Sequence, residues 1–453
     1  MKLLRRIIFS IFLVLIANSG LIFLHSHAFS WIWKAAAFTL FLLINLFPLN
    51  PPNATRQIRI LSAGSELLKL FCISAGMTAV IQLTVITTLF IKFYTGLANM
   101  PLHTLLTISI LSILWAFFCE AGIFWNGMIR VYLTSVQLGI RHRILAALCG
   151  WIPILNLWYL HKIIVCIDLE VEMETEKYEL SKIRAESEIC KTKYPLLLVH
   201  GVFFRDFRYL NYWGRIPKEL QRNGARIFYG QQQSAASVED CGAELAARIK
   251  EIVNKTGCGK VNIIAHSKGG LDSRAAISHY GAAPYVASLT TINTPHRGCI
   301  FAEYLLKKIP PKAQERVAQA YNTALHQFGD PDPDFMTAVS DLTETACIKR
   351  NAQTPDVPGI RYESIMSYCN NARSGKFPLN ISYPLVNHFD GKNDGLVSVE
   401  SAQWGSRFTL LEPTGRRGIS HGDMIDLNRE NIPGFDVREF YVQTVARLKK
   451  LGL

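Results

Sequence analysis

The stretch Val261-Asn262-Ile263-Ile264-Ala265-His266-Ser267-Lys268-Gly269-Gly270 constrains this chain more than any other. A run rich in β-branched residues stops abruptly at a serine, the pattern of a buried strand meeting a sharp turn. The segment that follows, Gly270 to Ile277, reads as a helix leaving that turn. A serine hydroxyl is a poor nucleophile near neutral pH. A chain that uses one must hold it clear of its neighbours, within reach of a base and beside backbone donors. Ala265 two residues before Ser267 and Gly269 two residues after it supply the lack of bulk that such a strained turn needs.

Around that turn, residues 191–453 alternate short apolar runs with helical stretches, the rhythm of an α/β fold with a mostly parallel sheet flanked by helices. Strands are expected at 195–199, 225–229, 260–265, 286–292, 362–366 and 408–411. Residues 238–253 place Leu245, Ile249, Ile252 and Val253 on one side of an amphipathic helix just ahead of the Ser267 strand.

Three further stretches supply what a serine nucleophile requires. Leu196-Leu197-Leu198-Val199-His200-Gly201-Val202 is a buried strand ending in His-Gly, where glycine lets the chain aim its next amide into a site. The amides of Val202 and Lys268 would then form a two-donor oxyanion hole, which asks nothing of the Lys268 side chain. Gly391-Lys392-Asn393-Asp394-Gly395 puts a carboxylate in a turn before an apolar run, and Ile419-Ser420-His421-Gly422-Asp423 puts a histidine past the last strand. The order serine, aspartate, histidine is the one α/β-hydrolases use. Ser267 is thus expected as nucleophile, His421 as its base and Asp394 as the carboxylate that orients the base. Asp390 is a rival acid, and His279, His296, His326 and His388 are formal rivals to His421. His200 and His266, beside the turns themselves, read as structural neighbours.

Charge divides the chain. A net charge of +13 beside 49% hydrophobic residues is an unusual pairing for one soluble fold. Residues 1–167 hold 12 Lys or Arg against 2 Asp or Glu, residues 168–190 hold 3 against 8, and residues 191–453 hold 33 against 25. These blocks read as an all-α, multi-pass transmembrane region at 1–162, a charged helical connector at 163–190 whose acids serve solvation, and a catalytic domain at 191–453. Apolar runs at 7–24, 31–47, 70–91 and 103–125 suit a hydrocarbon layer about 30 Å thick. A fifth run, 144–165, contains Gly150, Pro153, Asn156, His161 and Lys162. Arginines and lysines at 2, 5, 6, 56, 59, 130, 141 and 143 fall on alternate loops, which places those loops in the cytoplasm. If the fifth run crosses, the catalytic domain lies outside the cytoplasm; if it re-enters, that domain is cytoplasmic. Its length favours crossing. The basic residues form no stripe or motif for nucleic acid, and the ten cysteines show no CxxC or CxxH spacing.

Over most of 194–453 the residues resemble the bacterial triacylglycerol lipases of the true lipase group, within the α/β-hydrolase superfamily. The resemblance is carried by Tyr194-Pro195 running into His200-Gly201, Tyr212-Trp213 before Ile216, Val261 to Gly270 continuing to Ser273-Arg274, Val286 to Gly298 with its Asn293-Thr294-Pro295-His296, and Asn393 to Val397. It implies Ser267, Asp394 and His421 as the triad, Val202 and Lys268 as oxyanion donors, and a lipid or ester substrate. In calcium-dependent members an aspartate two residues after the histidine is a ligand, and Asp423 matches it. Leu427 stands where a glutamine ligand would follow, so no cofactor is expected. Segment 301–359 falls at the lid position, with Val317, Tyr321, Leu325 and Phe328 as its apolar face. The N-terminal apolar runs are foreign to that family's pattern. The expectation is a serine hydrolase of carboxylic esters anchored in the cell membrane, its catalytic domain outside the cytoplasm. An acyltransferase, thioesterase or phospholipase on the same triad, or a non-catalytic membrane binding module, are the alternatives.

Overall fold

A computed structural model describes residues 2–22, 31–48, 52–97, 100–150, 152, 154–202, 211–327 and 330–453. Phe328 lies outside them. The chain divides into two compact units, Met1–Lys182 and Ile183–Leu453.

The first unit is helical: α1 (Lys2–Ala17), α2 (Ser19–Ile22), α3 (Trp31–Leu46), α4 (Arg56–Tyr94), α5 (Leu102–Thr134), α6 (Gly139–Cys149) and α7 (Leu155–Ala185), the last running on into the second unit. Only α4 and α5 are, among the described residues, long and apolar enough to cross a membrane. They pack on one another through small residues, so that a Cβ on Gly127 would lie 2.9 Å from the Leu68 side chain. The fifth apolar run is not one helix. It is split between the end of α6 at Cys149 and the start of α7 at Leu155, as Gly150 and Pro153 require. The connector is helical, yet its acids do not all face water. Glu170 is buried and accepts from the Ser135 hydroxyl at 2.6 Å and the Val136 amide at 2.8 Å. A run of charges in sequence does not say which one packs inward.

In the second unit β1 (Leu196–Val199), β2 (Ile227–Tyr229), β3 (Val261–His266), β4 (Val286–Ile292), β5 (Arg361–Ser367) and β6 (Arg407–Leu411) form one parallel sheet in the order β2-β1-β3-β4-β5-β6. The strands lie where the apolar runs predict. Their crossovers are α8 (Ile216–Arg222), α9 (Val238–Thr256), α10 (Lys268–Ser278), then α11 (Ile300–Lys308), α12 (Pro311–Gln327), α13 (Phe335–Ser340) and α14 (Glu344–Gln353), then α15 (Leu379–Asp390), with α16 (Val437–Lys450) closing the chain. Alternate strand residues point to opposite faces. Leu196, Leu198, Ile264 and Ile365 therefore pack with Trp213, Leu220 and Tyr441, while Leu197, Val199 and Ile263 pack with α9 through Leu245, Ile249 and Ile252. Each such side chain, fully buried, contributes roughly 1.5–3 kcal/mol. Helices on both faces leave the carboxyl ends of the strands as the open edge, the place where such sheets carry their sites.

Candidate active site

Ser267 stands between β3 and α10 with φ 54° and ψ −133°, a backbone conformation that costs a non-glycine residue about 1–3 kcal/mol. The surroundings enforce it. The Ser267 amide donates to the Ile292 carbonyl at 3.0 Å and its carbonyl accepts from the Thr294 hydroxyl at 2.8 Å. A Cβ at Gly269 would sit 2.3 Å from the His200 carbonyl oxygen, and one at Gly270 would sit 2.2 Å from Thr294 Oγ1. Glycine at the first place lets the start of α10 press against the end of β1, and at the second against the turn after β4. That contact brings His200 and Gly201, which lead into Val202, to the amino end of α10, where the Lys268 amide belongs to the donors a helix cannot satisfy internally. Gly201 is equally constrained: a Cβ there would lie 2.8 Å from the Ser267 Cβ and from the Tyr212 hydroxyl.

Asp394 follows α15 and is wholly buried. Its Oδ1 accepts from the amides of Leu396 (2.9 Å) and Val397 (2.8 Å), and its Oδ2 from Asn293 Nδ2 (2.5 Å) and His421 Nδ1 (2.6 Å). The His421 amide also donates to the Asp394 carbonyl at 2.9 Å. The His421 ring lies 4.4 Å, centroid to centroid, from that of His266, the residue before Ser267. The structure thus brings His421 and Asp394 into direct contact beside the serine turn. Three of the rivals are engaged elsewhere. His279 pairs with the Thr354 hydroxyl, His296 with the Thr291 hydroxyl, and Asp390 with the first amides of α11.

Three residues quoted from the motifs make supporting contacts that the motifs alone do not display. Asn293, at φ 50°, ends β4 and ties Asp394 to the Ser367 hydroxyl at 2.8 Å. An asparagine closing a buried strand is the available signal, since this residue tolerates the left-handed region. Tyr212 meets His266 Nδ1 at 2.7 Å through its hydroxyl. Lys268 turns its side chain away from the serine and into the core, with Nζ 2.7 Å from Asp272 and 3.3 Å from the Cys241 sulfur. Burial pushes the Asp272 carboxyl up to about 6 against the pull of the Lys268 ammonium.

The Asp423 carboxylate is already occupied: Oδ2 accepts from the Ser420 amide and hydroxyl at 2.8 and 2.7 Å, and Oδ1 from the Arg417 guanidinium at 3.0 Å. A guanidinium on the ligand oxygen, with Leu427 beyond, does not fit a calcium site.

The α/β hydrolase fold family model matches residues 194–364. A triacylglycerol lipase of Vibrio cholerae serotype O1 is 30% identical over 288 residues, which cover 58% of this chain and 90% of that protein. The chain belongs to the lipases of the α/β-hydrolase superfamily, a family of carboxylic ester hydrolases. Triacylglycerol lipases of Burkholderia plantarii and Pseudarthrobacter phenanthrenivorans are each 37% identical, over 183 and 176 residues, or 37% and 35% of this chain. The chain spans about half the length of these two relatives, 50% and 54%.

Two histidines give this lipase-family unit a pH-dependent stability. His266 and His296 are held well below the ordinary value of 6.5, first by burial, with His421 adding for the former and Arg274 and Arg297 for the latter. Below pH 6.5 the unfolded chain takes up protons that the folded chain refuses. Stability is therefore present above 6.5 and lost as pH falls from there, by about 1.4 kcal/mol per pH unit for each histidine. His296→Gln removes one of them. Melting of the full chain in detergent between pH 6.5 and 5.5 is expected to show a shallower loss in the variant, whatever its stability at pH 8.

Proposed function

We propose that this chain is a membrane-anchored serine hydrolase that cleaves carboxylic esters, above all lipid esters of the triacylglycerol type. Ser267 Oγ attacks the ester carbonyl while His421 Nε2 takes its proton. Asp394, accepting from Nδ1–H, fixes that tautomer and steadies the imidazolium. The amides of Val202 and Lys268 receive the oxyanion, each worth about 3–4 kcal/mol of barrier. His421 then protonates the leaving alcohol, and water, activated by the same imidazole, releases the acid from the acyl-serine.

The observation that carries this reading is the His421–Asp394 pair at 2.6 Å, set against the residue that precedes a serine in a strained turn. The segment at the lid position supports a lipid substrate. Leu325 of α12 lies in one cluster with Ala235 and Ala338 against which Val202 packs, while Val317 and Tyr321 of the same helix are exposed, so an amphipathic helix lies over a proposed oxyanion donor. Membrane anchoring is supported by α4 and α5, whose most apolar windows are only 22% and 28% buried. A core helix of a soluble protein would hide far more. Leu83, Phe117 and Phe118 instead expose over three fifths of their surface, which lipid would cover.

The test is hydrolysis of a graded series of p-nitrophenyl and triacylglycerol esters by the detergent-purified protein. Turnover that rises with acyl length is the expected result. Preference for short chains makes the protein an esterase, and preference for thioesters or for an alcohol acceptor makes it a thioesterase or acyltransferase. No turnover, with Ser267 unlabelled by a fluorophosphonate, overturns the enzymatic reading in favour of a binding module.

A further inference from the structure

We propose that the chain leaves its helical unit on the cytoplasmic side of the membrane, so that the second unit begins in the cytoplasm. The inference rests on the membrane reading of α4 and α5, and not on catalysis.

Side-chain pairs fix the direction of those two helices. Ser74 donates to Glu120 at 2.7 Å, Gln82 to the Ser112 hydroxyl at 3.0 Å, and a Cβ on Gly64 would lie 3.0 Å from Arg130 and Val131. The helices are antiparallel. Arg56 and Arg59 therefore share one end with Arg130, Arg141 and Arg143, and the Arg143 guanidinium donates to the Ser135 carbonyl at 2.8 Å. At the other end, residues 92–101 carry Lys92 as their one charged side chain. Five arginines against one lysine mark the first end as cytoplasmic.

α7 brings the chain back to that same end. Asp168 accepts from Ser65 and Lys69 at 2.7 and 2.8 Å, Glu170 accepts from Ser135 and the Val136 amide, and Lys182 Nζ donates to Asn53 at 3.1 Å. From Asp168 to Lys182 the partners move from 65–69 to 53, so α7 runs antiparallel to the start of α4 and ends beyond Arg56. No net crossing occurs between Ser135 and Lys182. α6, with 11 residues, rises about 16 Å, roughly half the hydrocarbon thickness, before the break and return. Ile140, Leu148, Ile154 and Leu157 are exposed along this turn-back, as a hairpin that re-enters the lipid requires. The chain continues directly from Lys182 into the second unit, which must begin on the basic side. The fifth run, whose length suggests a crossing and an outward catalytic domain, is divided between two helices at Cys149 and Leu155, and the proposal places that domain on the opposite side.

Cysteine chemistry agrees independently. All ten cysteines are free, and Cys190, Cys241, Cys299, Cys347 and Cys369 are buried as thiols in the second unit, which suits a reducing compartment.

The test is protease digestion of the full chain, tagged after Leu453, in sealed vesicles of both orientations. Loss of the tag from inside-out vesicles, with protection in right-side-out vesicles, is expected. Loss from right-side-out vesicles, or from both, overturns the proposal. Release of the chain by alkaline carbonate overturns the membrane reading beneath it. Ser267→Ala run in parallel must give the same digestion pattern, so a catalytic failure cannot be mistaken for a topological one.

Discussion

Replacing Ser267 by alanine is expected to lower kcat for ester hydrolysis by on the order of 10⁶-fold while leaving the fold in place. The turn is held by backbone bonds to Ile292 and Thr294 and by the close approach of Gly269 to His200. None of these uses the hydroxyl, and alanine at φ 54° is strained no more than serine. His421→Ala should cost a similar factor, and the double variant little more than either, because the pair acts as one unit. Asp394→Asn should cost about 10⁴-fold. Four donors converge on the Asp394 carboxylate. An amide offers them one oxygen and sets its own N–H groups against the rest, which forces His421 into the wrong tautomer. Single-turnover kinetics on a p-nitrophenyl ester, beside fluorophosphonate labelling, measure all four variants. Ser267→Ala retaining more than about a hundredth of the activity would show that another group attacks the ester.

Residues that sit within a few positions of a turn were readable in the sequence. β3 announces itself by its β-branched run, Ser267 by the small residues on either side, and Asp394 by the glycine after it. The pieces that a motif cannot display are those joined across the fold. Asn293 reaches Asp394 over 101 positions and Tyr212 reaches His266 over 54. Neither side chain is unusual where it stands in the sequence. The fifth apolar run shows a different limit. Gly150 and Pro153 were visible, but a run's length argues for crossing only if it forms one helix, and its Asp168 and Glu170 continuation is anchored to residues 65–69 and 135–136. Glu170 shows the same limit of composition: burial chose one acid from a series that otherwise looks solvated.

Lys268→Met is expected to destabilise the catalytic unit by about 3–5 kcal/mol, the usual cost of stranding one member of a buried ion pair. Lys268 and Asp272 have side chains exposed by only 1% and 2%, at a separation of 2.7 Å. Without the ammonium, the carboxylate keeps its burial and loses the charge that opposed it, so its pKa rises above the present value of about 6. A carboxyl raised in the fold above its unfolded 3.8 contributes stability at low pH and loses it as pH rises through that window. The deficit of Lys268→Met must therefore shrink as pH falls from 7 toward 5. Adding Asp272→Leu should recover most of the lost stability at pH 7, because an apolar pair of similar volume needs no charge partner. Equilibrium melts of the single and double variants in detergent measure this. The same proteins separate backbone from side chain at position 268. If the oxyanion meets the Lys268 amide, kcat per folded molecule stays within a few-fold of the parent in both. A fall of 10²-fold or more in the double variant, with stability restored, would mean that the ammonium reaches the reaction and that the amide assignment is wrong.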